Sequence, residues 1–135
     1  MHKVYLALPH ALDKVLGHVA DNGKVTRSRV GFDKEVGYAN LETGDIYAER
    51  FGPDKAVGRV DLGNGKVYTT RLGPDHYEGW VSADGRMHRH RALAPDAYIG
   101  QVESFVSFAH SAAAMLLLVL PALEEQTDEE AETEE

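Results

Sequence analysis

Two histidines on one short segment are the first residues in this chain whose spacing suggests chemistry. His88 and His90 would share a face of a β-strand and could bind a metal ion with a third ligand such as His76. No motif supplies that third ligand, and three arginines surround the pair, so we predict no metal site. The pattern favours a basic, exposed interaction strand, close to anionic lipid headgroups in one interpretation. The interaction candidates are Trp80, Arg86, His88, Arg89, His90 and Arg91.

Another histidine lies inside the one long apolar run of the chain. His110 belongs to Ser104–Leu123, which contains no charged residue. An ionisable residue inside a membrane span is a functional hypothesis by default. Its small neighbours Ala109 and Ser111 would admit a flat tetrapyrrole, which makes His110 a candidate axial ligand of haem or chlorophyll. The alternatives are a hydrogen bond to a neighbouring helix or a contact with the membrane interface, and we predict no other cofactor.

Composition excludes several other classes of chemistry. The chain has no cysteine, which removes disulfides, zinc–thiolate sites and thiol catalysis. No glycine-rich loop between a strand and a helix reads as a phosphate site. No Ser–His–Asp or paired-carboxylate arrangement stands out, so we predict no catalytic residues and no enzyme. Residues 1–103 hold all 14 Lys and Arg and 14 of the 22 Asp and Glu, and this neutral body argues against nucleic-acid binding.

A repeat defines the elements that position these residues. The period is 20 or 21 residues, and four units align: Leu16–Glu35, Val36–Ala56, Val57–Tyr77 and Glu78–Tyr98. A fifth unit begins at Ile99–Glu103, and Lys3–Val15 supplies its second half. A unit that is split between the two ends predicts that the termini meet. We therefore expect five short β-hairpins closed into a ring, which removes the exposed strand edges.

Each unit has the same internal pattern. Asn-Gly, Asp-Gly or Thr-Gly separates two β-prone segments, and the first two of these pairs are strong hairpin signals. A glycine recurs near the start of each unit, at positions 17, 37, 58, 79 and 100, which indicates a crowded face or a bulge. The predicted core of the ring is Val4, Val25, Ile46, Val67 and Met87. Glu78 replaces an apolar residue and His88 a tyrosine, so the fourth unit is where we expect a special role.

Arginine and aspartate also recur with the repeat. The arginines are Arg29, Arg50, Arg71 and Arg91, and the aspartates are Asp13, Asp33, Asp54, Asp75 and Asp96. They could form a ring of ligand-binding charges. Because surface ion pairs are common and weak, we favour a structural turn and rim that repeats with the fold.

The hairpin pattern hGxV–(D/N)G–(K/R)VY resembles that of the tandem-hairpin proteins known as β-flower repeats. The resemblance covers Lys3–Glu103. It implies a flower-like ring of short hairpins. It brings no catalytic residue, because that family is not defined by an activity.

The apolar segment decides between two functional interpretations. Its 20 residues are enough to cross a bilayer, and the basic strand lies on one side of it with only acids on the other. The ring of hairpins has little room for such a helix, which favours a membrane anchor. In the alternative, the helix packs on the ring or lies in the interface of a soluble oligomer. Four small residues would let another helix approach closely: Ser107, Ser111, Ala112 and Ala114.

The predicted organisation is a β-hairpin repeat domain (1–103), a transmembrane helix (104–123) and an acidic, solvated tail (124–135). We expect a non-catalytic, single-pass accessory or assembly subunit at the cell membrane, with its ring on the cytoplasmic side, in contact with lipid and a larger membrane complex. The alternative is a cytoplasmic, homo-oligomeric binding module. Under the anchor interpretation, removal of residues 104–135 would leave a soluble folded ring.

Overall fold

Ten antiparallel strands form one closed barrel. The computed structural model describes residues 1–8, 13–49, 53–70 and 74–125. Each strand pairs with its neighbours in the chain, and the last strand pairs with the first. The strands are β1 (His2–Leu6), β2 (Lys14–Val19), β3 (Lys24–Arg29), β4 (Phe32–Ala39), β5 (Asp45–Ala48), β6 (Lys55–Val60), β7 (Lys66–Thr69), β8 (His76–Val81), β9 (Arg86–Arg89) and β10 (Ala97–Val102).

The barrel closes as the split repeat predicts. Strands β1 and β10 pair with Val4 opposite Val102 and Leu6 opposite Gly100, so the two ends of the repeat region complete one hairpin-like unit. The predicted fold class, a closed ring of five hairpin repeats followed by a helix, is confirmed. The five predicted core residues have no exposed surface, which confirms that this strand face points inward.

Tight turns join the two strands of four units at one end of the barrel, which we call the turn end. Gly23, Gly44, Gly65 and Gly85 all have a positive φ between 79° and 93°. Only glycine adopts this conformation without steric cost, which explains why the turn sequences carry it at a fixed place. The described residues that join one unit to the next, such as Val30, Gly31 and the segment 90–96, lie at the opposite end, which we call the open end.

The apolar segment forms a single helix, Phe108–Glu125, which we call the central helix. It begins with an α-helical stretch, α1 (Phe108–Ala114), continues as a π-helical turn (Met115–Val119) and ends at Glu125. Among the described residues this helix is long and apolar enough to cross a membrane. The remainder of the predicted acidic tail, residues 126–135, lies outside the described part of the chain.

The central helix occupies the interior of the barrel. It contacts strands on every side of the sheet, from β1 and β2 through β4, β5 and β6 to β8, β9 and β10. Ala109, Ala112, Ala113, Met115 and Val119 have no exposed surface. The expectation that the ring has little room for a helix is therefore wrong.

Small residues on both surfaces make that room. At Gly58 of the wall, a Cβ atom would lie only 2.6 Å from Cδ1 of Leu116, and at Gly37 only 2.7 Å from Cδ1 of Leu117. The first half of the helix faces the wall with alanines. Because glycine and alanine have so little bulk, the helix backbone approaches the sheet closely and fills the space that a ring of ten strands encloses.

Candidate functional site

A β-bulge in each unit turns one additional side chain into the barrel near its open end. Between β7 and β8, Val67 lies opposite Gly79 and Tyr68 opposite Tyr77, so Glu78 is the extra residue of the bulge. The same register shift occurs in the other four units. A bulge re-aims a side chain without breaking the sheet. The five bulge residues are Leu16, Val36, Val57, Glu78 and Ile99.

Glu78 is the one charged member of this ring of bulge residues. It is 7% exposed. Thr69 Oγ1 donates a hydrogen bond of 2.9 Å to its Oε1, and His76 Nε2 lies 3.8 Å from the same oxygen. Removing a carboxylate from water costs free energy even when it is hydrogen-bonded. Since the other four units fold with an apolar residue here, the barrel itself does not require the charge.

The Glu78 carboxylate lies at a crevice between the barrel wall and the second half of the central helix. The crevice has a volume of about 330 Å³. Within the described residues, Lys55 and Arg89 line it without making an ion pair. Its polar lining is Lys55, Thr69, Thr70, His76, Glu78, Arg89 and Glu124, and its apolar lining is Val57, Leu116, Leu120 and Pro121.

Two further crevices open around the end of the helix. One of about 210 Å³ is bordered by Arg27 and Glu125, whose Nη2 and Oε2 atoms are 3.3 Å apart. The other, of about 510 Å³, is mainly apolar, with Leu8, Ile99 and Leu123 in its wall. The crevice beside Glu78, which we call the polar crevice, differs from both because a buried carboxylate forms part of its wall.

The neighbouring unit provides a reference for the stability of this site. At the positions of Thr69 and Glu78 it carries Ala48 and Val57. We expect the double variant Thr69→Ala/Glu78→Val to raise the free energy of unfolding by about 1–2 kcal/mol, because a buried polar pair is replaced by an apolar one. Urea denaturation measures this, with Thr69→Ala alone as the control. That single variant should be less stable than wild type by about 1 kcal/mol, since the carboxylate loses a donor. A double variant less stable than wild type would make Glu78 a structural residue.

The histidines considered as metal ligands in the sequence, His88 and His90, have other partners on the outer face of the fourth unit. The His88 ring stacks on Trp80 with their centroids 4.0 Å apart, and His90 Nδ1 lies 3.3 Å from Asp96 Oδ1. The Trp80 indole N–H donates to Asp96 Oδ2, and this bond, with the one to His90, lowers the pKa of Asp96 below its ordinary value. His76 lies beside Glu78 instead. Within the described ranges, no three His, Asp or Glu side chains come together as a metal-binding group.

The three arginines of the predicted interaction strand do not form one patch. The Arg86 guanidinium lies 5.8 Å from the centre of the Tyr98 ring, and Arg91 Nε donates to the carbonyl of Pro95. Arg89 points inward and lines the polar crevice. Alternation along the strand separates them, because Met87 and Arg89 face the interior while Arg86 and His88 face out.

His110 is buried at the start of the central helix, at the turn end. Its Nε2–H donates to the carbonyl of Asp21 at 2.7 Å, and Nδ1 accepts from the Ser107 hydroxyl at 2.6 Å. Ser107 Oγ also accepts from the His110 backbone N–H and so caps the helix. A role as axial ligand would require one of these bonds to break. The proposed helix-packing residues Ser111, Ala112 and Ala114 are already covered by the barrel.

Two of the recurrent aspartates accept hydrogen bonds from side chains on the first strand of their own unit. Arg59 Nε donates to Asp75 at 2.7 Å, and Trp80 donates to Asp96 in the same way. These two bonds tie the described ends of two open-end loops to the barrel wall. They support the interpretation of a structural rim. The predicted Arg50 and Arg71 lie outside the described residues.

The sequence marks Glu78 as a departure from the repeat but does not reveal its surroundings. Thr69 and Lys55 carry no signal, because their proximity to Glu78 depends on the bulge and on the helix inside the barrel. Because its neighbours in the chain belong to the predicted interaction strand, Arg89 is predicted from the sequence to face outward. Comparison with the inward-facing core residue Met87, two positions earlier, would have placed it in the interior.

The geometry defines a mainly β protein: a closed antiparallel barrel that contains its own C-terminal helix. No protein-family model matches the chain, and neither a curated protein nor a solved structure is significantly similar to it.

Proposed function

We propose that this chain is a non-catalytic binding module that holds a small ligand in the crevice beside Glu78. The observation that carries the proposal is a buried carboxylate at a position where every other unit has an apolar side chain. A charge that the fold does not need, in the wall of a cavity, is typical of a binding site. Lys55 and Arg89 add cationic groups to the same lining.

The position of the central helix favours a module over an anchor. A helix that crossed a bilayer would have to leave the barrel, and the apolar interior of ten strands would then face water. The membrane-anchored accessory subunit remains a second candidate, and the length and apolar character of the helix favour it. The module that we propose differs from a soluble oligomer with the helix at its interface, because its own barrel already covers the helix.

The closed ring of hairpins also supports a place among the β-flower-like repeat proteins. The recurrent inward glycine, the tight turn and the ring of short hairpins are the features in common. This grouping concerns architecture and adds nothing about the ligand.

A screen of small polar molecules against matched variants tests the binding proposal. Val57→Trp would fill the crevice, whereas Val36→Trp places the same bulk at the equivalent bulge of another unit, away from this crevice. We expect ligands that raise the melting temperature of wild type and Val36→Trp but not of Val57→Trp. If ligands stabilise both variants equally, the site lies elsewhere. If no compound stabilises wild type, the binding function is wrong.

A further inference from the structure

We propose that Asn64–Gly65, in the tight turn between β6 and β7, is a site of spontaneous deamidation that limits the lifetime of the native barrel. The chain has three asparagines, and glycine follows two of them, at Asn22–Gly23 and Asn64–Gly65. Asparagine is among the chemically labile residues of proteins. A following glycine leaves the asparagine side chain open to attack, because glycine has no Cβ atom. Both asparagines are exposed to water, and the contacts of their turns distinguish them.

The reaction needs only water. The backbone nitrogen of Gly65 gives up its proton to water or hydroxide and forms a bond with Cγ of Asn64. The Cγ–Nδ2 bond then breaks, and ammonia leaves with a proton from the solvent. Water opens the resulting succinimide in one of two ways. Breakage of the new N–Cγ bond gives aspartate, whereas breakage of the original peptide bond gives isoaspartate.

The native turns oppose this attack at both motifs. The Gly65 N–H donates to the carbonyl of Asp61 at 2.8 Å, and the Gly23 N–H donates to the carbonyl of Ala20 at 2.9 Å. While these bonds persist, the glycine nitrogen keeps its proton and its position. Deamidation of the folded protein therefore requires local opening of the turn, and the frequency of opening depends on how firmly each turn is held.

Hydrogen bonds from two other elements hold the turn that contains Asn22. At the start of the central helix, His110 Nε2–H donates to the carbonyl of Asp21 at 2.7 Å. In β1, His2 Nε2 lies 2.7 Å from Asp21 Oδ1. Because these bonds are lost when the turn opens, they make its opening rarer.

The tip of the turn that contains Asn64 is held by its own residues. The Gly63 N–H donates to Asp61 Oδ1 at 2.8 Å, and the Lys66 backbone N–H donates to Asn64 Oδ1 at 2.9 Å. Within the described chain, the hydrogen bonds of Gly63 and Asn64 all stay inside this turn. Gly63 also adds conformational freedom at the tip. We therefore infer that this turn opens more often than the turn of Asn22.

Isoaspartate at position 64 would loosen the junction between the third and fourth units, whereas aspartate would fit. The carbonyl of Gly65 accepts from the Val81 N–H at 2.9 Å, and a Cβ atom at Gly65 would collide with the Val81 carbonyl oxygen. The backbone is thus tight against β8, and isoaspartate adds one backbone atom directly before this contact. Aspartate is accepted because Asp84 occupies the equivalent position of the fourth unit, where the Arg86 backbone N–H donates to it at 3.2 Å.

Ageing of the full-length protein in mildly alkaline buffer tests the proposal. Trypsin places the asparagines in three separate peptides, 15–24, 35–50 and 60–66. Mass spectrometry of each peptide measures the conversion of amide to acid. Because hydrogen bonds from other elements hold only the first motif, we expect Asn64 to react at least about tenfold faster than Asn22. Asn40, which is followed by Leu41, is the internal control and should remain intact. Equal rates at Asn22 and Asn64, or a rate at Asn64 no higher than at Asn40, would overturn the proposal.

A variant of the helix start tests the cause of the difference. His110→Ala frees the carbonyl of Asp21 and should raise the rate at Asn22 by about fivefold. Asn64 in the same protein reports any general loosening of the barrel and should keep its wild-type rate. His2→Ala removes the other hydrogen bond and provides the same test if His110→Ala does not fold. If Asn22 does not respond, or if both rates rise together, these hydrogen bonds do not protect the turn and the proposed distinction fails.

The purified products test the consequence for the barrel. Chromatography separates the isoaspartate form of the aged protein from the unmodified form. We expect the isoaspartate form to melt at a lower temperature than the unmodified protein, whereas Asn64→Asp, which matches the other product, should melt with wild type. An isoaspartate form as stable as wild type would show that the modification does not limit the lifetime of the barrel.

Discussion

Removal of residues 104–135 is expected to leave the remaining chain unfolded. This is the opposite of the result expected for a membrane anchor. Met115, Leu118, Val119 and Leu120 are all less than 7% exposed inside the barrel. Each such side chain contributes roughly 1.5–3 kcal/mol through burial, and a whole domain is stable by only about 5–15 kcal/mol. Circular dichroism and urea denaturation of the truncated chain measure the outcome.

A shorter truncation provides the control. Removal of residues 126–135 keeps the whole central helix and should preserve cooperative unfolding. A folded, cooperative 1–103 domain would contradict the expectation and return the helix to the role of anchor.

Full-length protein retained in membranes after an alkaline wash would also support the role of anchor. Release by that wash would instead indicate a peripheral contact, for which Val30 and Leu93 at the open end, both fully exposed, are the available apolar tips.

Gly58→Ala is expected to lower the free energy of unfolding by about 2–3 kcal/mol. A Cβ atom there would collide with the backbone carbonyl oxygen of Tyr68 and lie 2.6 Å from Cδ1 of Leu116. The wall and the helix would have to move apart, and overpacking of this kind typically costs about 1–3 kcal/mol. The slight gain from a stiffer unfolded chain does not offset it. Urea midpoints of the variant and wild type give the difference.

Gly63→Ala is the matched control in the next turn of the chain. Its Cβ would meet only the Oδ1 atom of the Asp61 side chain, at 3.2 Å, and that group can move. We expect a change within about 0.5 kcal/mol. Equal losses in both variants would mean that the glycines matter for backbone conformation and not for the close approach of the helix.

The strands and their closure can be predicted from the sequence because the same pattern of residues recurs along the chain. A tight-turn glycine, an inward valine and an inward glycine recur together, and the split unit leaves a ring as the arrangement without free edges. The place of the helix cannot be predicted in the same way. A segment such as Ser104–Leu123, apolar on every side, satisfies both a bilayer and a closed protein interior. Only the small residues on both surfaces, such as Gly58 of the wall and Ala112 of the helix, indicate the second.

One part of the candidate site, Glu78 itself, can be predicted from the sequence, whereas its surroundings cannot. Glu78 is visible as a break in the pattern because four other units show what the fold accepts there. Its partners belong to different units and to the helix, and no local pattern joins Lys55 or Glu124 to it. The histidines drew attention through residue type, yet His88 packs on Trp80 and His110 is held at the helix start by hydrogen bonds.

The pairing of β1 with β10 has a consequence for synthesis of the chain. The first strand leaves the ribosome almost a hundred residues before its partner at Gly100–Val102, and the helix that fills the interior follows after that. Contacts so distant in sequence slow folding. No intermediate length of nascent chain can bury its apolar faces, so the protein reaches its native state only after its last helical turn has left the exit tunnel.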